Sequence, residues 1–176
     1  MSMRALRRLL ASNGGAAAAE MALVTPLLLL IMASGLEVGN YFMDEHRLTK
    51  AVRDGARYAA RKDFSYFSSC DAAPNDTVAP IENVVADTRA LIRTSYLSGQ
   101  PDQLANWNDT DITVTTRCST GSGSVVYSGI YKGMANGARM VEVSASVTYL
   151  PVIAPFGISF VGSKLNARQE AAVSGV

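Results

Sequence analysis

The chain is poor in the residues on which metal and nucleophile chemistry depend. It has one histidine, His46, and two cysteines, Cys70 and Cys118, among 176 residues. A catalytic zinc site needs several such ligands together, and a serine or cysteine triad needs a partnered histidine. The motifs G-x-S-x-G, HExxH, a Walker loop and paired CxxC are all missing. We therefore expect a protein that is not an enzyme, with no catalytic residue, metal, cofactor or small-molecule substrate.

Acidic residues are missing from the first nineteen positions, which hold Arg4, Arg7 and Arg8. The formal net charge of +1 therefore hides an asymmetry, because the chain from Ala16 onward carries 13 basic and 15 acidic residues. A net charge of −2 over that part predicts no nucleic-acid surface.

Charge is also scarce in residues 16–36, where Glu20 is the one charged side chain. Twenty-one helical residues span about 31 Å, the thickness of the hydrocarbon core of a bilayer. The basic leader favours a cytoplasmic N-terminus, so we expect a single-pass membrane protein whose C-terminal part is exported. Glu20 is then either an edge carboxylate that reaches the headgroups or a residue with a role of its own.

The start of this segment resembles the class III and type IV prepilin signal. A basic leader is followed by Gly15, four alanines, Glu20 and an apolar run. The resemblance implies that a membrane-embedded prepilin peptidase cuts between Gly15 and Ala16, so that Glu20 becomes the fifth residue of the mature chain. It also implies that the Glu20 carboxylate pairs with the Ala16 amine of a neighbouring subunit during assembly.

Residues 14–60 resemble the TadE-like family of tight-adherence (Tad/Flp) pilus proteins. Members pair a segment like EFALVLPLLLLLLFGIVEVG with a helix ending in GARYAA, although Met21 stands here where they usually have Phe or Tyr. The matching residues are Glu20, Ala22, Leu23, Pro26, Leu27, Glu37, Gly39, Ala51, Asp54, Gly55, Ala56, Arg57 and Ala59. The resemblance implies a minor pseudopilin with other pilins as partners and a role in pilus assembly and surface adhesion. It would lie in the inner membrane, or enter the pilus, with its C-terminal domain in the periplasm.

Periodicity predicts the remaining elements. Helical spacing extends the membrane helix to residue 62 and predicts a second helix over 80–99, whereas alternation of apolar and polar residues predicts strands over 112–118, 140–150 and 165–173. The fold class is therefore α+β, with a long N-terminal helix and a second helix against a small antiparallel sheet. We divide the chain into a leader (1–15), a transmembrane helix (16–39), an amphipathic extension (40–62) and a periplasmic domain (63–176).

Three further features carry expectations of their own. Gly35 and Gly39 form G-x-x-x-G, which either permits close helix packing or is a coincidence in a stretch rich in small residues. Glu37, between them, is expected to reach water at the outer headgroups. In an exported chain, Cys70 and Cys118 are expected to form a disulfide, with two buried free thiols as the alternative.

Two other functions stay open at this point. The chain could be an uncleaved bitopic membrane protein with a periplasmic interaction domain. It could instead be a secreted binding protein, because Ala33-Ser34-Gly35 is an acceptable signal-peptidase site after an apolar run. The N-terminal truncation separates the three functions: fifteen residues, none, or thirty-five.

Overall fold

The chain folds as an α+β protein, as its periodicity predicted. A computed structural model describes residues 14–67, 80, 82–97, 99–118, 132, 138–154 and 162–175. In chain order the longer elements are α1 (Gly14–Ala60), α2 (Glu82–Thr94), β1 (Ile112–Cys118), β2 (Arg139–Thr148) and β3 (Lys164–Ala172). The three strands form one antiparallel sheet in the order β1-β2-β3.

Helix α1 is a continuous rod of 47 residues, about 70 Å long. Its first half, residues 15–36, is almost entirely exposed and is long and apolar enough to cross a membrane. Its second half has a buried face formed by Leu48, Val52, Ala56 and Ala59, all with no exposed surface. One helix therefore serves as a candidate membrane anchor and as part of the core of the folded domain.

The core lies between the helices and one face of the sheet. In β2 the alternation is the predicted one, with Val141, Val143 and Val147 buried against the helices. Trp107, in the connection that precedes β1, is 2% exposed and fills the same core. The end of the chain closes the domain, since the Ser174 N–H donates to the Ala60 carbonyl at 2.8 Å, an acceptor left unpaired by the end of α1.

Helix α2 is shorter than predicted. It ends at Thr94 rather than near Gly99, because Ser95 adopts a positive φ of 63° that leaves the helical path. Tyr96, which lies within the predicted helix, is 60% exposed beyond the end of the observed one. Arg93 holds the connection that follows, with guanidinium bonds of 2.7 Å to both Asp102 and Asp109. These ion pairs raise the pKa of Arg93 further above its usual value, so its guanidinium group stays charged.

The cysteine prediction falls partly outside the described residues. Cys118, the last residue of β1, is not a free thiol in the structure. Cys70 lies outside the described residues, so the pairing of Cys70 with Cys118 stays a prediction. The same is true of the cytoplasmic leader before residue 14.

Candidate functional site

Glu37 lies where the candidate membrane helix meets the domain, and it is buried. From the sequence we expected this side chain to reach water at the outer headgroups. That expectation is wrong, because only 3% of the residue is exposed. The chain that follows β2 folds back over the helix at this level and covers the carboxylate. The contact joins residues 112 positions apart in sequence.

Both carboxylate oxygens of Glu37 accept hydrogen bonds from that chain. The Tyr149 hydroxyl donates to Oε1 at 2.6 Å, and the Ile153 backbone N–H donates to Oε2 at 3.1 Å. The Asn40 amide, one turn further along α1, donates to the Tyr149 hydroxyl at 3.0 Å. We call Glu37, Asn40, Tyr149 and the Ile153 N–H the Glu37 cluster. Among the described residues no basic side chain forms an ion pair with Glu37, so hydrogen bonds alone compensate the buried carboxylate.

Aromatic rings surround the cluster on its open side. The Tyr41 and Tyr149 rings meet edge to face with centroids 5.2 Å apart, and Phe42 extends the aromatic surface from Tyr41 at 6.0 Å. A cleft of about 270 Å³ opens here, lined by Glu37, Val38, Tyr41, Phe42, Tyr149 and Ser163. Tyrosines commonly lie at membrane–water interfaces, where a ring contacts lipid and its hydroxyl finds a polar partner.

Burial raises the pKa of the Tyr149 hydroxyl above its usual value, and the hydrogen bond to Glu37 raises it further. The proton therefore stays on Tyr149 over the physiological range, which keeps the hydroxyl a donor toward the carboxylate. These hydrogen bonds hold the domain to the C-terminal end of the apolar half of α1.

A second buried carboxylate lies on the opposite face of the sheet. The alternation of β2 assigns polar residues to that face, and Glu142 is only 7% exposed there because arginines from both neighbouring strands cover it. Arg117 of β1 lies 2.5 Å and Arg168 of β3 lies 2.8 Å from the same oxygen, Oε2. Arg168 also pairs with Glu170 at 3.1 Å. The ion pairs of Glu142 therefore link all three strands of the sheet.

The residues predicted to act in maturation lie together on the first turns of α1. Gly15, Ala16 and Glu20 are all exposed, and Ala16 and Glu20 are four residues apart on one helix face. Gly35 and Gly39 are exposed as well, and a Cβ atom added at either would meet no heavy atom within 4 Å. The fold leaves the predicted packing surface open, so helix packing at these glycines stays a prediction.

The family model described as TadE-like protein matches residues 15–57. This range contains Gly15, Gly35 and Gly39 and the residues that α1 contributes to the Glu37 cluster. This segment, about a quarter of the chain, is similar to the TadE-like family. The match confirms the resemblance that the sequence indicated. No curated protein and no solved structure matches the chain.

Sequence reasoning missed the partners of Glu37 in the TadE-like segment. Two signals were available: an acid at the end of an apolar run, and Tyr149 at an inward position directly after the clearest strand. Neither signal says that these two residues meet, because the contact depends on how β2 crosses α1. Among the described residues no three His, Cys, Asp or Glu side chains come together as a metal site would require.

Proposed function

We propose that the chain is a minor pseudopilin of a Tad/Flp pilus, with a structural and assembly role in pilus biogenesis and surface adhesion and no enzymatic activity. It inserts in the inner membrane with its N-terminus in the cytoplasm and its C-terminal domain in the periplasm. A prepilin peptidase then cuts between Gly15 and Ala16, and the mature chain joins other pilins of the system.

The observation that carries this proposal is the construction of α1. The exposed apolar half continues without a break into the half that builds the core of the domain. Hydrogen bonds from Tyr149 and Ile153 to Glu37 hold the domain at the point where the apolar half ends. A helix shared by the apolar half and the core joins them without a linker, which suits a subunit that leaves the membrane for a helical assembly.

The N-terminal end of the family match supports the proposed maturation site. The match begins at residue 15, the glycine after which the peptidase is expected to cut. Gly15 is exposed, and a Cβ there would meet no heavy atom within 4 Å, so the fold does not obstruct the site. A peptidase must draw extended backbone into its active site, and glycine followed by alanines offers the least hindrance.

Intact-mass measurement of the protein from native membranes tests this proposal. We expect a chain fifteen residues shorter than the full one when a prepilin peptidase is present, and Gly15→Val to keep the full length. Gly35→Val is the matched control, because it blocks the alternative signal-peptidase site and leaves Gly15 intact. A full-length mass beside an active peptidase would favour the uncleaved bitopic protein, and a loss of thirty-five residues the secreted one.

A further inference from the structure

Helix α1 carries an exposed stripe of basic side chains on the face turned away from the domain. Its members, which we call the basic stripe, are Lys50, Arg53, Arg57 and Arg61. The spacings of three, four and four residues put them on one side of the helix and of the turn that ends it. All four are exposed, while Leu48, Val52, Ala56 and Ala59 on the opposite side are buried in the core.

Within the described part of the chain, no ion pair neutralises these charges. Among the described residues, none of the four cations has a carboxylate within 4 Å. Asp54 is their acidic neighbour on the helix, and it is exposed as well. Like charges three and four residues apart destabilise a helix, so the stripe works against the stability of the isolated protein. The favourable field at the helix C-terminus helps Arg57 and Arg61 but not Lys50 or Arg53.

Six carboxylates among the described residues pair with other cations. Asp44 pairs with Arg47, Asp87 with Lys62, and Asp102 and Asp109 with Arg93. On the sheet, Glu142 lies between Arg117 and Arg168, which also holds Glu170. A second copy of this chain would therefore have to break its own ion pairs to cover the basic stripe with these residues.

Position along α1 separates the basic stripe from the membrane surface. Lys50 lies eleven residues past Gly39, about 16 Å further along the helix axis, and Arg61 lies about 33 Å past it. The Debye length at physiological ionic strength is about 8 Å, so anionic headgroups at the end of the span attract these side chains weakly. Because the basic stripe runs along α1, it is suited to contact with a neighbouring protein that lies alongside the helix.

We propose that the basic stripe is a docking surface for an acidic face on a different polypeptide that stands beside α1 outside the membrane. Charge complementarity selects this partner, because an acidic row at helical spacing would meet the four cations and remove their mutual repulsion. The inference rests on the proposed function in one respect, which is that the chain works next to other subunits.

Zero-length crosslinking with a water-soluble carbodiimide tests the proposal on the full chain in native membranes. The reagent joins a lysine amine to a carboxylate in direct contact, so Lys50 reports on the basic stripe. Lys164 is the matched control, because it is exposed on β3, far from the stripe in sequence. Lys62 and Asp87, 3.8 Å apart within the domain, give an internal product that reports correct folding.

We expect Lys50 to be joined to an aspartate or glutamate of another protein, and Lys164 to give little such product. Arg57→Glu, which leaves Lys50 in place and lies two turns away from it, should lower the Lys50 product about fivefold or more, whereas Lys164→Glu should not. Both variants should keep the Lys62–Asp87 product. Replacing the identified carboxylate of the partner by lysine should restore association with Arg57→Glu.

Besides the absence of a Lys50 product, three results would overturn the docking surface. These are equal products at Lys50 and Lys164, a Lys50 product formed with a second copy of this chain, and a Lys50 product unaffected by Arg57→Glu. The mass of the mature chain, measured on the same samples, reports on the proposed function separately. A processed chain without the Lys50 product would remove this inference alone.

Discussion

Glu37 and Tyr149 depend on each other at the residue scale, because each satisfies the polar group of the other in a buried place. The carboxylate has no cation beside it among the described residues, so its charge depends on two donated hydrogen bonds. Losing one partner of such a bond leaves a buried polar atom unsatisfied, which costs more than the bond contributes when formed.

Tyr149→Phe should therefore lower the free energy of unfolding by about 1–3 kcal/mol, because Glu37 Oε1 and the Asn40 amide both lose a partner. Urea unfolding of the full chain in mild detergent would measure the change. Trp107, the single tryptophan, is buried and reports on the core. Tyr96→Phe is the control, since Tyr96 is 60% exposed. Equal stability of the two variants would contradict the role given to the Glu37 cluster.

The raised pKa of Tyr149 has a consequence at alkaline pH. The folded chain holds the phenolic proton more tightly than the unfolded chain, whose tyrosines titrate near about 10. Tyr149 therefore contributes stability that is fully present below pH about 10 and is lost as the pH rises from there through the folded-state pKa. Stability measured across this range should fall less steeply for Tyr149→Phe than for the unchanged chain. Parallel curves would show that Tyr149 titrates alike in both states.

At the scale of elements, the crossing of α1 and α2 depends on Gly55. A Cβ atom at this position would lie nearest to Ile92 Cγ1, 2.5 Å from Ile92 Cδ1 and 3.4 Å from Thr88 Cγ2, so the helices approach as closely as glycine permits. Contacts shorter than van der Waals distance force neighbouring side chains or the backbone to shift. The glycine of the GARYAA run is therefore a packing requirement in this protein.

Gly55→Ala should destabilise the domain by about 1–3 kcal/mol despite the better helix propensity of alanine. Ile92→Val in the same chain should recover only a small part of the loss, because it removes Cδ1 but keeps Cγ1, the atom nearest to the new methyl group. Gly39→Ala is the matched control, since a Cβ there meets nothing within 4 Å. The close approach would be refuted if Gly55→Ala and Gly39→Ala had the same effect on unfolding.

At the scale of the whole molecule, the apolar half of α1 is exposed and is not covered by any other part of the chain that the structure describes. Glu20 lies in this half, four residues after Ala16, and is exposed. Cleavage after Gly15 would leave a positive amine on Ala16 in surroundings with little water, where an unpaired charge is strongly unfavourable. A Glu20 carboxylate from a neighbouring subunit would compensate it.

Glu20→Ala should therefore leave membrane insertion and processing intact and reduce incorporation into the pilus. Removing a charge eases entry into the membrane, whereas the Ala16 amine loses its partner in the assembly. Fractionation would compare processed protein in membranes with the amount that co-purifies with pili. Glu20→Asp, which keeps the charge on a shorter side chain, should retain part of the incorporation. Normal piliation with Glu20→Ala would make Glu20 an edge carboxylate only.

Local patterns in the sequence were enough to predict the elements. The apolar run predicted the exposed half of α1, and the alternation from Val141 to Tyr149 predicted which face of β2 is buried. Both depend on the helical and strand periods, which a short window of residues reveals. The end of α2 was predicted less well, because the positive φ of Ser95 carries no comparable signal.

The polar contacts of the site were decided by the tertiary structure. Glu37 is buried because Tyr149 and Ile153, more than a hundred residues later, cross the helix at its level. Glu142 is buried because strand register sets Arg117 and Arg168 on either side of it. A periodic pattern assigns a side chain to a face, but it does not say which residue from elsewhere in the chain covers that face. For a carboxylate, that neighbour decides between a solvated surface group and a buried, hydrogen-bonded one.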